Sequence, residues 1–156
     1  MKGNPKVVDC LNRLLDNELG SIDQYFTHGS MYEDWGLNKL HEQMKEEVAE
    51  ETAHADALIK RILFLEGTPD LSSRSATNIG SDTESMMKSD LVNEMKVMTD
   101  LRAAIKLCEA QGDYESREIL EKLLSDTESD HIFWLEQQIG LIGKIGIHNY
   151  IQSQMG

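Results

Sequence analysis

The sequence of 156 residues lacks several features that would assign it to common protein classes. Its only cysteines, Cys10 and Cys108, are too few for a disulfide framework or a thiolate metal site, and we expect buried free thiols. It has two prolines, no apolar run long enough to span a bilayer, and no signal-peptide stretch near its start. These absences predict a cytoplasmic protein without a membrane segment.

Basic residues are also scarce. Lys and Arg total 15 against 28 Asp and Glu, so the formal net charge is −13. Nucleic-acid binding needs a basic surface, which this composition does not supply. A strongly negative field instead concentrates cations. The charge balance therefore predicts cations as partners and argues against nucleic acid.

The apolar residues, 40% of the chain, recur with a period near 3.6 and predict an all-α fold. Asn4-Pro5 is a typical helix start, and Gly36 is a typical stop. We expect four long helices and a short fifth: Pro5 to about Trp35, Asn38 to Gly67, a third opened by a Ser81–Glu84 capping box and closed at Gly112, a fourth from Asp113 past Ile142, and Ile147–Gln154.

The link at residues 67–81 is long and has little periodicity, whereas the other connections are short. A 28-residue helix is about 42 Å long, and fifteen extended residues reach about 50 Å. The link can therefore cross the full length of a bundle, and we expect the third helix to start where the first one starts. This predicts one domain, residues 1–156, folded as a ferritin-like four-helix bundle with one long crossover. A plain up-down bundle with a loose middle loop is the alternative.

Acidic residues interrupt the apolar stripe of each long helix. Burying isolated charges is costly, so such groups must protonate, pair or bind cations. The interrupting residues, one for each helix, are Glu18, Glu51, Glu94 and Glu128.

Two of these glutamates have a histidine three residues later, in Glu51-x-x-His54 and Glu128-x-x-His131. Positions i and i+3 share a helix face, so both side chains can reach one metal ion. The pattern repeats: Glu18 and Glu51 are 33 positions apart, and Glu94 and Glu128 are 34 apart. Four carboxylates and two imidazoles at one height are typical of di-iron or di-manganese sites in helical bundles.

The chain resembles a known family, the bacterioferritin-type bacterial ferritins, over essentially its full length. The stretches that carry the resemblance are MKGNPKVVDCLNRLLDNEL, QYF, YEDWGL, HAD, RILFLEGTP, SREIL, HIFWLEQQIGLI and NYIQSQ. They combine local identity with long-range spacing.

The resemblance implies a role for each candidate ligand. Glu18 and His54 would be terminal ligands of one iron, Glu94 and His131 of the other, and Glu51 and Glu128 would bridge the two. Tyr25 would lie beside the centre, or else it is a core aromatic residue.

The resemblance also implies a function, which is iron storage by a ferroxidase. Ferrous iron would be oxidised by oxygen or peroxide, and the ferric product would join a mineral inside a shell of 24 subunits. Asn149 and Gln152 would lie in the part of the last helix that lines channels through this shell.

Two departures from the family pattern affect these expectations. The family's haem-ligand methionine follows the bridging glutamate of the second helix, and here that position is Thr52. A hydroxyl is a poor haem ligand, so haem is not expected in a homo-oligomer. One extra residue precedes His131, and we expect a helical bulge to absorb it with little effect on the ligands.

Some alternatives stay open at this stage. The chain is either the ferroxidase described, a di-iron oxidase acting on an organic substrate, or a structural subunit that co-assembles with a haem-binding bacterioferritin subunit. The acidic run Glu46, Glu47 and Glu50 is either a solvated helix face or a transit site for iron.

Overall fold

The computed structural model describes residues 1–156 and contains only helices, turns and loops. Three long helices and a fourth composite one form a bundle, and a short helix follows at the carboxyl end. This confirms the predicted four-helix bundle with a fifth short helix. The elements are α1 (Pro5–Asp34), α2 (Asn38–Phe64), α3 (Thr83–Ala110), a composite of α4 (Tyr114–Asp126), a π-helical turn (Thr127–Ile132) and α5 (Phe133–Ile145), and finally α6 (Ile147–Ser153).

The first helix begins and ends at residues with suitable side chains. The Asn4 side chain accepts a hydrogen bond from the Lys6 N–H at 2.8 Å, and Pro5 occupies the first helical position. Gly36 then adopts a φ of 76°, a conformation that glycine tolerates without strain, and the chain turns into α2.

The start of α3 differs from the prediction. Asp82, not Ser81, is the N-cap, and its carboxylate accepts from the Ser85 N–H at 2.8 Å. The Ser85 hydroxyl accepts in return from the Asp82 N–H. This reciprocal pair leaves Glu84, the residue expected to complete the box, free to pair with Lys88 at 3.0 Å.

The long crossover follows α1 from one end of the bundle to the other. The Ser75 N–H donates to the Asp16 carbonyl at 3.0 Å, and further on the Gly80 N–H donates to Nε2 of His28 at 3.2 Å. Gly20 makes the close approach possible, because a Cβ there would lie 2.8 Å from the Ser75 carbonyl oxygen.

The third helix therefore begins where α1 ends, and the expectation that it begins where α1 begins was wrong. The α2 helix has already returned the chain to the start of α1, where the Gly3 N–H donates to the Leu65 carbonyl. A crossover of full length then takes it back to the opposite end. The α1 and α3 helices are antiparallel, as the Asn17–Asp100 hydrogen bond at 2.8 Å shows together with Gln24–Asp90 at 2.7 Å.

The apolar core consists of two clusters, one toward each end of the bundle. One cluster centres on Leu15, Leu58 and Leu101, and the other contains Tyr32 and Met44. The buried glutamates Glu18, Glu51 and Glu94 lie at the level between the two clusters. No helix is both long and apolar enough to cross a lipid bilayer. Both cysteines are buried free thiols, as predicted.

The fourth long helix contains the predicted bulge. Residues Thr127–Ile132 form a π-helical turn, which accommodates one extra residue without ending the helix. Thr127 faces the interior and donates its hydroxyl to the Leu123 carbonyl at 2.9 Å. The turn changes which side chains around it point inward.

The cap of α3 can be tested with a neighbouring pair of variants. We expect Asp82→Ala to lower the free energy of unfolding by about 1 kcal/mol, because it leaves the Ser85 N–H without its acceptor. Ser81→Ala is the matched control and should change stability little. Urea unfolding followed by circular dichroism measures both, and equal losses would contradict the assignment of Asp82 as the cap.

Candidate metal centre

Five of the six predicted ligands converge at the middle of the bundle. They come from α1, α2, α3 and the π-helical turn, and none has more than 5% of its surface exposed. These residues are Glu18, Glu51, His54, Glu94 and His131.

The five side chains form two overlapping groups that share Glu51. In the first group, Nδ1 of His54 lies 3.7 Å from a carboxylate oxygen of Glu18 and 3.7 Å from one of Glu51. In the second, Nδ1 of His131 lies 2.9 Å from Glu51 and 3.3 Å from Glu94. Each group places one imidazole nitrogen and two carboxylate oxygens within 4.8 Å of one another, close enough to hold a metal ion.

Five of the polar atoms that face this centre have no hydrogen-bond partner. Buried polar groups are normally paired, and each unpaired one is destabilising. Here the unpaired atoms converge, as expected for atoms that bind a cation. They are Oε2 of Glu18, Glu51 and Glu94 and Nδ1 of His54 and His131. Oxygen donors with two nitrogens suit iron or manganese.

The pKa values describe how the charges balance without a cation. Burial and the nearby Glu51 raise the pKa of Glu18 well above its ordinary value. Burial opposes the charge of Glu51, yet the nearby Glu18, His131 and His54 outweigh it and lower the pKa of Glu51. Burial likewise opposes charge on His54, but Glu18 and Glu51 raise its pKa to about 11. Protons on the imidazoles thus partly neutralise the carboxylates.

Outer carboxylates orient both histidines. Nε2 of His54 donates to Asp126 at 2.9 Å, a contact typical of metal-binding imidazoles. Asp126 was not singled out from the sequence, where it is only one of several acidic residues before His131.

The second histidine contacts the acidic run of α2. Nε2 of His131 lies 2.5 Å from Glu50 and 3.0 Å from Glu47. Glu47 is buried, and burial raises its pKa to about 7. Glu46 is exposed, so this run is only in part a solvated face.

Tyr25 lies beside the centre, and it is buried as well. Its hydroxyl donates to Oε1 of Glu94 at 2.5 Å. The pKa of Tyr25 is raised well above its ordinary value, mainly by burial and to a smaller extent by the negative charge of Glu94. The phenol therefore stays neutral and keeps Glu94 in position.

Glu128 does not reach the centre, contrary to the prediction that it bridges two irons. Its side chain is 40% exposed and accepts from the Arg102 guanidinium at 2.6 Å. The π-helical turn is the physical reason: Thr127 and His131 face the interior, and Glu128 lies on the outer side. The bulge was expected to have little effect on the ligands, and this expectation was also wrong.

The other predicted positions lie on the surface. The Thr52 side chain is exposed and donates its hydroxyl to the Val48 carbonyl at 2.7 Å. Asn149 and Gln152 are exposed on α6.

Comparisons with known proteins agree with this arrangement. The family described as "Ferritin-like domain" matches residues 8–145. The chain belongs to the ferritin family. Among its relatives, a bacterial ferritin of Synechocystis is 52% identical over 99% of both chains, and one of Pseudomonas aeruginosa is 50% identical over 99% of this chain and all of its own. A bacterioferritin of Brucella melitensis is 40% identical over 97% of this chain and 94% of its own.

The different positions of Glu51 and Glu128 lead to a direct test in this ferritin. We expect Glu51→Gln to weaken Mn²⁺ binding at least tenfold, because Glu51 belongs to both groups of candidate ligands. Glu128→Gln should leave the affinity unchanged, because Glu128 pairs with Arg102. Isothermal titration calorimetry on metal-free protein measures both. A comparable loss of Mn²⁺ affinity in the two variants would show that Glu128 is a metal ligand after all.

Proposed function

We propose that this protein stores iron by oxidising it at a pair of neighbouring sites within one subunit. Glu18 and His54 hold one ferrous ion, Glu94 and His131 hold the other, and Glu51 lies between them. The observation that carries the proposal is the convergence of unpaired Oε2 and Nδ1 atoms in the interior of the bundle. Glu128 is not part of this proposed ligand set.

The chemistry follows from charge. A cation that binds at Nδ1 of His54 or His131 displaces the proton there, so iron binding releases protons. The carboxylates of Glu18, Glu51 and Glu94 stabilise ferric iron more than ferrous iron, because the higher charge is attracted more strongly. Electron loss to oxygen or peroxide is thereby favoured, and the ferric product moves on to the mineral.

Tyr25 is a positioning residue in this proposal. Its hydroxyl holds one oxygen of Glu94 and leaves the other, Oε2, unpaired for the metal. Removing the hydroxyl frees Glu94 to rotate and weakens the site that it shares with His131.

The assembly we propose is a cytoplasmic shell of 24 copies whose acidic surfaces collect iron. The net charge of −13 on each chain supports this role. Asn149 and Gln152 on α6 would line channels between subunits. Thr52 replaces a haem ligand with a hydroxyl, so we propose that the homo-oligomer carries no haem in the family's manner, while co-assembly with a haem-binding subunit remains the alternative.

The oxidation step is tested by adding ferrous iron to metal-free protein without oxygen and then admitting air. The wild-type protein should give a fast rise in ferric absorbance that saturates at about two irons per chain. Glu18→Ala should abolish the fast phase, because it removes a carboxylate from the first group. Glu33→Ala, an exposed position on the same helix, is the control. Oxygen consumption that requires an added organic substrate would favour the substrate-oxidase alternative.

Size-exclusion chromatography tests the assembly, and the visible absorbance spectrum tests the absence of haem. A 24-subunit shell of the 17.7 kDa chain should elute at about 400–450 kDa, and recombinant protein should show no Soret band. Elution as a small oligomer would contradict the shell. One haem for every two chains would contradict our interpretation of Thr52.

A further inference from the structure

A buried polar group attaches the last part of the crossover to the bundle. We call it the clasp, and it consists of Gln24 and His28 on α1 and Asp90 on α3, none of them more than 3% exposed. The Asn78 N–H donates to Oε1 of Gln24 at 3.1 Å. The Gly80 N–H donates to Nε2 of His28 at 3.2 Å. Side chains of α1 thus hold the crossover backbone at two points.

The contacts of His28 determine where its proton lies. Nε2 carries no hydrogen, because it accepts the Gly80 N–H. The proton of the neutral ring is therefore on Nδ1, which donates to Oδ1 of Asp90 at 2.9 Å. The same oxygen accepts from the side-chain amide of Gln24 at 2.7 Å. The attachment of Gly80 thus requires a neutral imidazole in a single tautomer.

A second proton on His28 would remove this attachment. A doubly protonated imidazole has hydrogen on both nitrogens and accepts no hydrogen bond. The new Nε2–H and the Gly80 N–H would then face each other as two donors without an acceptor. Gly80 cannot turn aside within the bundle, because it packs so closely that a Cβ there would lie 2.5 Å from the Met86 backbone nitrogen. The crossover must instead move away from α1.

The groups around the ring decide whether a second proton is stable there. The α2 and α3 helices and the crossover pack against α1. Asp90 on α3 is the only charged group that the ring contacts, and it favours an imidazolium. On α2, Nδ1 of His41 donates to the Gly29 carbonyl at 2.9 Å. On α1, burial and the charge of Asp90 raise the pKa of Tyr32, one turn beyond the ring, well above its ordinary value, so that this phenol stays neutral.

The crossover adds no charged side chain between residues 76 and 80. Burial of the ring opposes the added charge, whereas the carboxylate of Asp90 compensates it. The two effects act in opposite directions, so the second proton is taken up only as the solution becomes acidic.

We propose that His28 is an acid-sensitive latch for the crossover. The neutral ring holds Gly80 against α1. In acid the ring takes up a proton from solvent at Nε2 during a brief local opening of the crossover, forms an ion pair with Asp90, and releases residues 78–80. Neither the candidate metal ligands nor a bound metal takes part in this step.

Hydrogen–deuterium exchange of the full chain tests the latch, with mass spectrometry of peptides that cover residues 76–82. After correction for intrinsic exchange, wild-type protection should fall about tenfold between about pH 8 and about pH 5, because one hydrogen bond is lost. His28→Gln should abolish this dependence, since its amide oxygen can still accept the Gly80 N–H and takes up no proton in this range. Circular dichroism at both pH values checks that each protein remains folded.

Two further variants complete the test. His41→Gln is the matched control and should behave as the wild type, because the His41 ring accepts no N–H from the crossover. Asp90→Asn keeps the shape of the clasp but removes its negative charge, so the fall in protection should move to lower pH. Wild-type protection that is independent of pH, or a dependence that persists in His28→Gln, would overturn the proposal. An unshifted transition in Asp90→Asn would contradict the ion pair on which the latch depends.

Discussion

Carboxylates buried at the middle of the bundle impose the main constraint on this structure. Glu18, Glu51 and Glu94 lie between two apolar clusters, where negative charge is stable only beside positive charge. Without metal, two protonated imidazoles supply part of it, as the raised pKa values of His54 and His131 indicate. The remaining unpaired oxygen atoms allow the interior to bind cations, whereas a core made of leucine side chains would have no ligands for them.

Much of the fold was predictable because it depends on local patterns. Helical periodicity, the Asn4-Pro5 start and the Gly36 stop gave the helices to within a few residues. The inward glutamates were visible because each one interrupts an apolar stripe. The cap at Asp82 was missed because Ser81 and Asp82 are both good capping residues, and the structure pairs Asp82 with Ser85 rather than Ser81 with Glu84.

The site was less predictable where the helix departs from regular geometry. The extra residue before His131 predicted a bulge, but its position decides which side chains turn outward. Regular helical spacing predicts that Glu128 and His131 face the same way. The π-helical turn instead directs Glu128 outward, where it pairs with Arg102. The burial of Glu47 was equally hidden, since a run of glutamates on a helix is usually solvated and only tertiary contacts distinguish its members.

The two helical hairpins contribute separately to the centre, with α1 and α2 supplying three of the convergent side chains and α3 and the π-helical turn supplying two. Ions bound there would act as cross-links between distant parts of the chain. Because a ligand that binds only the folded state stabilises it by mass action, a loaded subunit would resist heat and proteolysis longer than an empty one. The cell's metal supply would thereby influence how long each copy survives, as well as how much cargo it carries.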